Sequence, residues 1–345
     1  MRIIKTLVFI LFVVIFSACS HRQSTLSIIA NDFADPVKIA LCDTICNGVL
    51  FEPFSLIYHD SLWITYNSYM GENQIFVYDE QTQTQYAFLK KGRAYGEAVH
   101  INSIQIYNDS LFVNIDPDKI FVYPFNSLRH NLVHMPACVF DGIKGLYLGN
   151  GQSMSIPAFP QPVAEKMYGV YSRDCVPAFF GDYPVDDEVK YPDHDYSRQT
   201  AYQGQMYLSP DGEKALNVFH YAVGFDIIDI NRRTVDHVFW KYPQVSVEYV
   251  DLFKANFVKA IPERERGFVS GCARQNGFYL LYDLIQTSGL NESHIFKYAW
   301  DCTPLRHYLI KGHRILCFYI NDEEDRLYTV EESANSTYMY LSYKL

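Results

Sequence analysis

From about Val37 onward the apolar residues fall in short β-rich runs separated by polar turns, and almost no stretch sustains the three-to-four residue spacing of a helix. Leu62-Trp63-Ile64, Ile75-Phe76-Val77-Tyr78, Leu111-Phe112-Val113 and Ile120-Phe121-Val122-Tyr123 are typical of these runs. Their β-branched and aromatic residues suit a half-buried pleated surface. The pattern predicts an all-β fold.

The runs repeat. Tyr58-His59-Asp60-Ser61-Leu62-Trp63-Ile64 followed by Gln74-Ile75-Phe76-Val77-Tyr78-Asp79 is echoed by Tyr107-Asn108-Asp109-Ser110-Leu111-Phe112-Val113 followed by Lys119-Ile120-Phe121-Val122-Tyr123. In each, a polar turn that can bond its own backbone closes a hairpin, and a second strand follows. Looser copies begin at Ser209-Pro210-Asp211-Gly212, at Gln275-Asn276-Gly277 and at Asn321-Asp322, and Leu146-Tyr147-Leu148 with Tyr168-Gly169-Val170-Tyr171 forms a less regular unit. A period of about 40 to 50 residues is that of a β-propeller blade, and the length after the N-terminus accommodates about six, with five or seven as alternatives. An open ring would leave bare strand edges. The segment Val37-Lys38-Ile39-Ala40-Leu41, ahead of the first full unit, is expected to add a strand to the last blade and close the ring.

The N-terminus differs from the rest. Arg2 and Lys5 precede an apolar run from Leu7 to Phe16, then Ser17, Ala18 and Cys19. That order is a secretory signal, and the run is too short to span a bilayer, which takes about 20 apolar residues. Phe16-Ser17-Ala18-Cys19 resembles a bacterial lipobox, with Phe16 where an aliphatic residue is usual. The resemblance implies cleavage before Cys19 and acylation of its thiol, which makes residues 1–18 a signal peptide, 19–36 a lipidated tether and 37–345 the propeller. The polar stretch Ser20 to Thr25 reads as flexible spacer. In some gut Bacteroidota lipoproteins acidic residues just after the Cys resemble a surface-export signal; none follows Cys19, which favours a periplasm-facing location over the cell surface.

The net charge of −10 becomes more negative once Arg2 and Lys5 are removed. Nucleic acid, which rewards clustered Lys and Arg, is set aside as a partner. Of eight cysteines, an odd number remains after Cys19 is acylated, so at least one stays free or pairs outside the chain. Cys42 and Cys46 are the close pair and could bridge locally, while zinc would want a second close pair or a suitable His pair. No metal or other cofactor is expected, and buried inert thiols are the reading for the remaining cysteines.

Ser209-Pro210-Asp211-Gly212 resembles the signature turn of TolB-type propeller repeats. Lys91-Gly92-Arg93-Ala94-Tyr95-Gly96-Glu97 resembles the Gly-Arg-Gly-Pro-Gly-Glu segment between early blades of TolB-like six-bladed propeller lipoproteins of Bacteroidota, with Ala94 and Tyr95 replacing Gly-Pro. The likeness implies an envelope lipoprotein with a ligand-binding or scaffold propeller. Arg93, Tyr95, Glu97 and His100 lie in that inter-blade connection, where propellers commonly bind; they are either ligand contacts or, for Arg93 and Glu97, a structural ion pair. A polar stretch from about Phe180 to Gln205 includes Asp193-His194-Asp195 and several tyrosines, and His194 is its candidate contact. These residues suit a glycan, peptide or protein partner, with the membrane reached through the N-terminal lipid.

No Gly-x-Ser-x-Gly elbow or appended hydrolase domain is present, and His220 beside Tyr221 reads as a core or channel residue. No catalytic residue is assigned. The enzymatic alternative is a metal-dependent, lactonase-like hydrolase drawing on Glu97, Asn217 and Asp251 at the channel.

Overall fold

The structure is a computed structural model describing residues 25–345, apart from 50–52, 70, 117–118, 131–134, 142–144, 157–165, 173–175, 185–201, 241–246, 253–254, 261–266, 284–291, 313 and 333–337. The signal segment, Cys19, Cys175 and His194 lie outside the described residues.

Six antiparallel sheets, five of four strands and one extended by a fifth, parallel strand, form a six-bladed propeller. In chain order their first two strands are Leu56–His59 and Leu62–Tyr66, His100–Tyr107 and Ser110–Asp116, Leu146–Gly149 and Gln152–Ser155, Gly204–Leu208 and Lys214–Phe219, Phe268–Arg274 and Gly277–Asp283, and Arg314–Ile320 and Arg326–Glu332. The hairpins joining the first two pairs turn on Asp60-Ser61 and Asn108-Asp109, all four with positive φ, from 44° to 63°. That is the conformation whose twist matches flanking strands, and Asn and Asp adopt it at low cost. The turn chemistry repeated in the sequence is thus what starts each blade.

First strands of blades two to six contact one another in succession, and that of blade six contacts that of blade one, so they line the axis. Six apolar clusters fill the seams, one per seam. Between blades one and six, Trp63 is fully buried, stacks on Tyr340 at 5.0 Å and donates its indole N–H to Glu80 at 3.2 Å. The smallest cluster joins blades two and three through Phe112, Ile120, Val122 and Tyr147. There Gln105 adds a polar latch, donating to the Tyr147 carbonyl at 2.9 Å and accepting its N–H at 3.0 Å.

Ring closure uses the N-terminus, in two steps and further along the chain than the sequence suggests. Val37–Lys38 pairs in parallel with the outer strand Pro304–Lys311 of blade five. Leu41–Val49 then becomes the outer strand of blade six, antiparallel to the C-terminal strand Tyr338–Lys344. Its register slips three times, and these slips blur the alternation that would have marked it as a strand. The fold also begins earlier than residue 37: the short helix Thr25–Ala30 packs on the seam between blades four and five, with Ile29 fully buried. An additional hairpin, Val247–Leu252 with Ala255–Ala260, falls in the chain between the strands of blades four and five.

Cys42 is exposed and unbridged, so the local pairing with Cys46 is not formed. Cys272 and Cys317 are buried free thiols, and burial pushes both up in pKa, away from reactive thiolate.

Candidate functional site

Antiparallel topology sorts the connections onto two faces. The hairpins between first and second strands share one face with the turns between third and fourth strands. The connections between second and third strands share the other face with the crossovers to the next blade. On the hairpin face, neighbouring turns interlock: Arg129 ion-pairs with Asp60, Gln275 donates to Asp211 at 2.8 Å, and Glu324 accepts from Tyr279 at 2.7 Å and Lys297 at 2.5 Å. The long connections 156–167, 181–203, 240–267 and 284–291 leave from the other face.

On that connection face two loops between blades one and two are built against each other. Asn67 accepts the Tyr69 N–H at 2.8 Å, making a turn that holds the tyrosine outward. Ser68 Oγ accepts the Ile101 N–H at 2.8 Å, and Lys91 donates to the Ser68 carbonyl at 3.1 Å. Gln74, buried, donates to the Ala98 carbonyl at 2.5 Å. Tyr69 is 72% exposed, and its ring lies 5.6 Å edge-on to Phe54 and 5.4 Å from His100. Tyr95, in the neighbouring loop, is 73% exposed. Two large rings are therefore held in water on loops tied down by buried hydrogen bonds.

Glu97 does not pair with Arg93. Its carboxylate accepts the Ala94 N–H at 2.9 Å while its own N–H donates to the Ala94 carbonyl at 3.0 Å, folding it over Gly92. A Cβ at Gly92 would stand 1.8 Å from Glu97 Oε2, so any side chain there would displace the Glu97 carboxylate from this position. Glu97 is the loop's internal brace. Arg93 is exposed and has no ion-pair partner among the described residues.

The residues imagined for a channel hydrolase do not converge. Glu97 is committed to its loop, and Asn217 is fully buried between blades three and four, donating to Tyr168 at 2.9 Å. Asp251 lies on the additional hairpin, and its side chain is outside the described residues. Among the described residues no three His, Cys, Asp or Glu side chains are placed to hold a metal ion. His220 sits not in a strand but in the connection after Lys214–Phe219, exposed, with its ring 6.3 Å from Tyr221.

Sequence reasoning found Tyr95 through its glycine-flanked loop but missed Phe54 and Tyr69. A large aromatic inside the turn-rich Asn67-Ser68-Tyr69 was the available signal. It also missed two buried polar clusters. Between blades three and four, Asp226 bonds His237 Nδ1 at 2.7 Å and accepts from Tyr168, while His237 Nε2 bonds the Asp182 carbonyl at 3.0 Å. In blade five, His294 Nδ1 and His307 Nε2 are 2.9 Å apart.

No protein-family model matches the chain, and no curated protein matches its sequence. Among solved structures, the fold is similar to a DUF4221 family member from Bacteroides vulgatus at a TM-score of 0.51 and 9% identity, covering 90% of this chain and 97% of that one. A Bacteroides fragilis protein described as exported aligns at a TM-score of 0.49, 9% identity, over 89% of this chain and 94% of that one. The β-propeller domain of Myceliophteria thermophila Cps50 (Swd1) aligns at 0.46 and 8% identity, over 89% of this chain and 99% of that one. At such identities the likeness concerns the fold alone, and the six blades are read from this chain's own sheets. No helix among the described residues is long and apolar enough to cross a membrane.

Proposed function

We propose that this chain is an exported lipoprotein, acylated at Cys19 and facing the periplasm, whose propeller is a non-catalytic binding module of the TolB-like kind. Its ligand site is the connection face between blades one and two, and its ligand is a glycan that stacks on Tyr69 and Tyr95. The observation that carries this reading is the pair of tyrosines held more than two-thirds exposed on hydrogen-bonded loops. An exposed ring offers an apolar face with a polar edge, which suits the alternating faces of a sugar. Such a site gains affinity because the loops are already ordered, so little conformational freedom is lost on binding. Arg93 and His100 add polar partners at its rim.

Screening the soluble domain against glycan and peptide arrays, followed by titration of the best ligand, tests the assignment. Tyr69→Ala and Tyr95→Ala are each expected to weaken binding about tenfold or more, in line with about 1.5 kcal/mol per aromatic contact. Unchanged affinity in both variants would sink the site, and a peptide-only response would replace the ligand class. The anchor is tested separately: Cys19→Ser should abolish lipid labelling and move the protein out of the membrane fraction.

A further inference from the structure

The N-terminal segment does more than close the ring, because it also fixes which part of the ring lies beside the anchor. We propose that the outer edge of blades five and six, with the segment wrapped around it, rests on the phospholipid surface, so that the propeller stands edge-on with blades two and three farthest from the bilayer. The proposal rests on the acylation of Cys19 proposed above.

Chain length is the first argument. The residues between Cys19 and Thr25 span at most about 20 Å even when fully extended, at about 3.5 Å per residue. Thr25 is itself buried, and the helix it begins is fixed by Ile29 in the seam between blades four and five. Phe33 extends this attachment, with ring centroids 5.1 Å from both Phe296 and Tyr298. The anchor therefore cannot swing freely around the ring.

Surface chemistry is the second. Among the described residues the exposed large apolar side chains include Ile28 on the helix, Val37 on the wrapping strand, Leu305 on the outer strand of blade five and Leu41 on the outer strand of blade six. Val37 pairs in register with Tyr308, three residues along the strand from Leu305. Apolar residues at the outer edge of a sheet invite another strand or an apolar phase. Beside an acylated terminus the bilayer interface supplies that phase at high effective concentration. The exposed cations Lys38 and Arg306 are offset by Asp32 and Asp35 in the same region, so a zwitterionic surface suffices.

A consequence links this edge to the ligand site. In a six-membered ring blade two lies across from blade five, so the seam of blades one and two, with Tyr69 and Tyr95, is held off the lipid and open to the envelope space.

The test uses the full acylated protein reconstituted in phosphatidylcholine vesicles containing dibrominated phospholipid, which quenches tryptophan at close range. Val37→Trp and Leu305→Trp are compared with Tyr95→Trp, and the three native tryptophans give a common background. Flotation of each variant with the vesicles shows independently that the anchor is present. We expect strong added quenching for the Val37 and Leu305 variants and none for Tyr95→Trp. Floating protein with equal quenching at all three positions, or none at positions 37 and 305, overturns the orientation while leaving the anchor standing. Failure to float would instead remove the acylation on which it rests. Leu305→Glu in the Val37→Trp background provides a second check: quenching should fall at least twofold with flotation retained, and unchanged quenching counts against contact at this edge.

Discussion

Two histidine sites, one between blades three and four and one in blade five, are built from similar cross-strand geometry and shift their histidines in opposite directions. Asp226 and His237 face each other directly across neighbouring strands, whereas His294 and His307 are diagonal, opposite Leu309 and Phe296. Burial pulls His237 toward the neutral form, but the hydrogen bond and charge of Asp226, with the Asp182 carbonyl, outweigh it and hold its pKa above the ordinary value. Burial pushes Asp226 up as well, and His237 and Tyr168 pull it only part of the way back. Asp226 thus favours the charged form of His237. In blade five burial lowers both histidines, His307 to about 4 with His294 as the second cause. Glu292 and Lys311, which face His294, act on it in opposite directions. Burial alone therefore does not set protonation; the partner does.

Removing one member of the Asp226–His237 pair is the largest expected effect. Asp226→Ala leaves His237 without its carboxylate and Tyr168 without its acceptor, inside a seam whose Asn217 Oδ1 already has no partner. Leaving partly buried polar groups unpaired costs about 1 to 3 kcal/mol for each, read by urea unfolding at pH 6. A loss below about 1 kcal/mol would mean that the seam holds through its apolar cluster alone and that the cross-blade polar network is incidental.

The neutral pair should show a pH effect of the opposite kind. Each histidine titrates lower in the folded chain than the ordinary value of 6.5, so the unfolded chain takes up protons first. Stability from this site is complete above about pH 6.5 and is lost as pH falls toward 4. For His307 the loss approaches about 3 kcal/mol at pH 4, at roughly 1.4 kcal/mol per pH unit. The outer nitrogens, His294 Nε2 and His307 Nδ1, are buried without partners. Replacing both rings, as His294→Phe with His307→Leu, should therefore cost little at pH 7 and flatten the acid limb of the melting-temperature profile. An unchanged acid limb would place the titration elsewhere. Phe33 lies 6.2 Å from the His307 ring, so acid should loosen the N-terminal segment first, visible as earlier hydrogen exchange at residues 25–39.

How much of this is legible in the sequence follows from what is local. Asp60-Ser61 and Asn108-Asp109 sit in hairpins whose strands are adjacent in the chain, so turn chemistry and repeat length lead to blades and to their number. The closing strand is misplaced by sequence pattern because Leu41–Val49 pairs with the far C-terminus and its slipped register hides the alternation, while Val37-Lys38, which looks more like a strand, pairs with blade five. Spacing makes Glu97 a partner for Arg93, but the glycine at 92 lets it bond its own loop. The Tyr168, Asn217, Asp226 and His237 cluster draws on two blades, and no sequence spacing joins them. The hairpin face, with its interlocked turns, obeys local rules; the connection face departs from them at Tyr69 and Tyr95, where stability alone gives no reason to expose a ring.

The smallest effect sharpens the comparison most, because it asks for a slope of opposite sign from the same residue type. His237 titrates above its ordinary value in the folded chain, so its contribution is full below about pH 6.5 and is lost as pH rises through the folded value. Asp226→Asn keeps the shape and the Tyr168 contact but removes the charge that lifts His237. The wild-type chain should therefore lose stability between pH 6 and 9 that the Asn variant does not lose, the sign being set by the raised pKa of His237. The measurement is the difference between the two stability profiles, in which groups common to both chains cancel. If the profiles run parallel across that range, His237 is neutral in both, the bond to Asp226 is an ordinary imidazole–carboxylate hydrogen bond, and the two histidine sites differ in partner but not in charge.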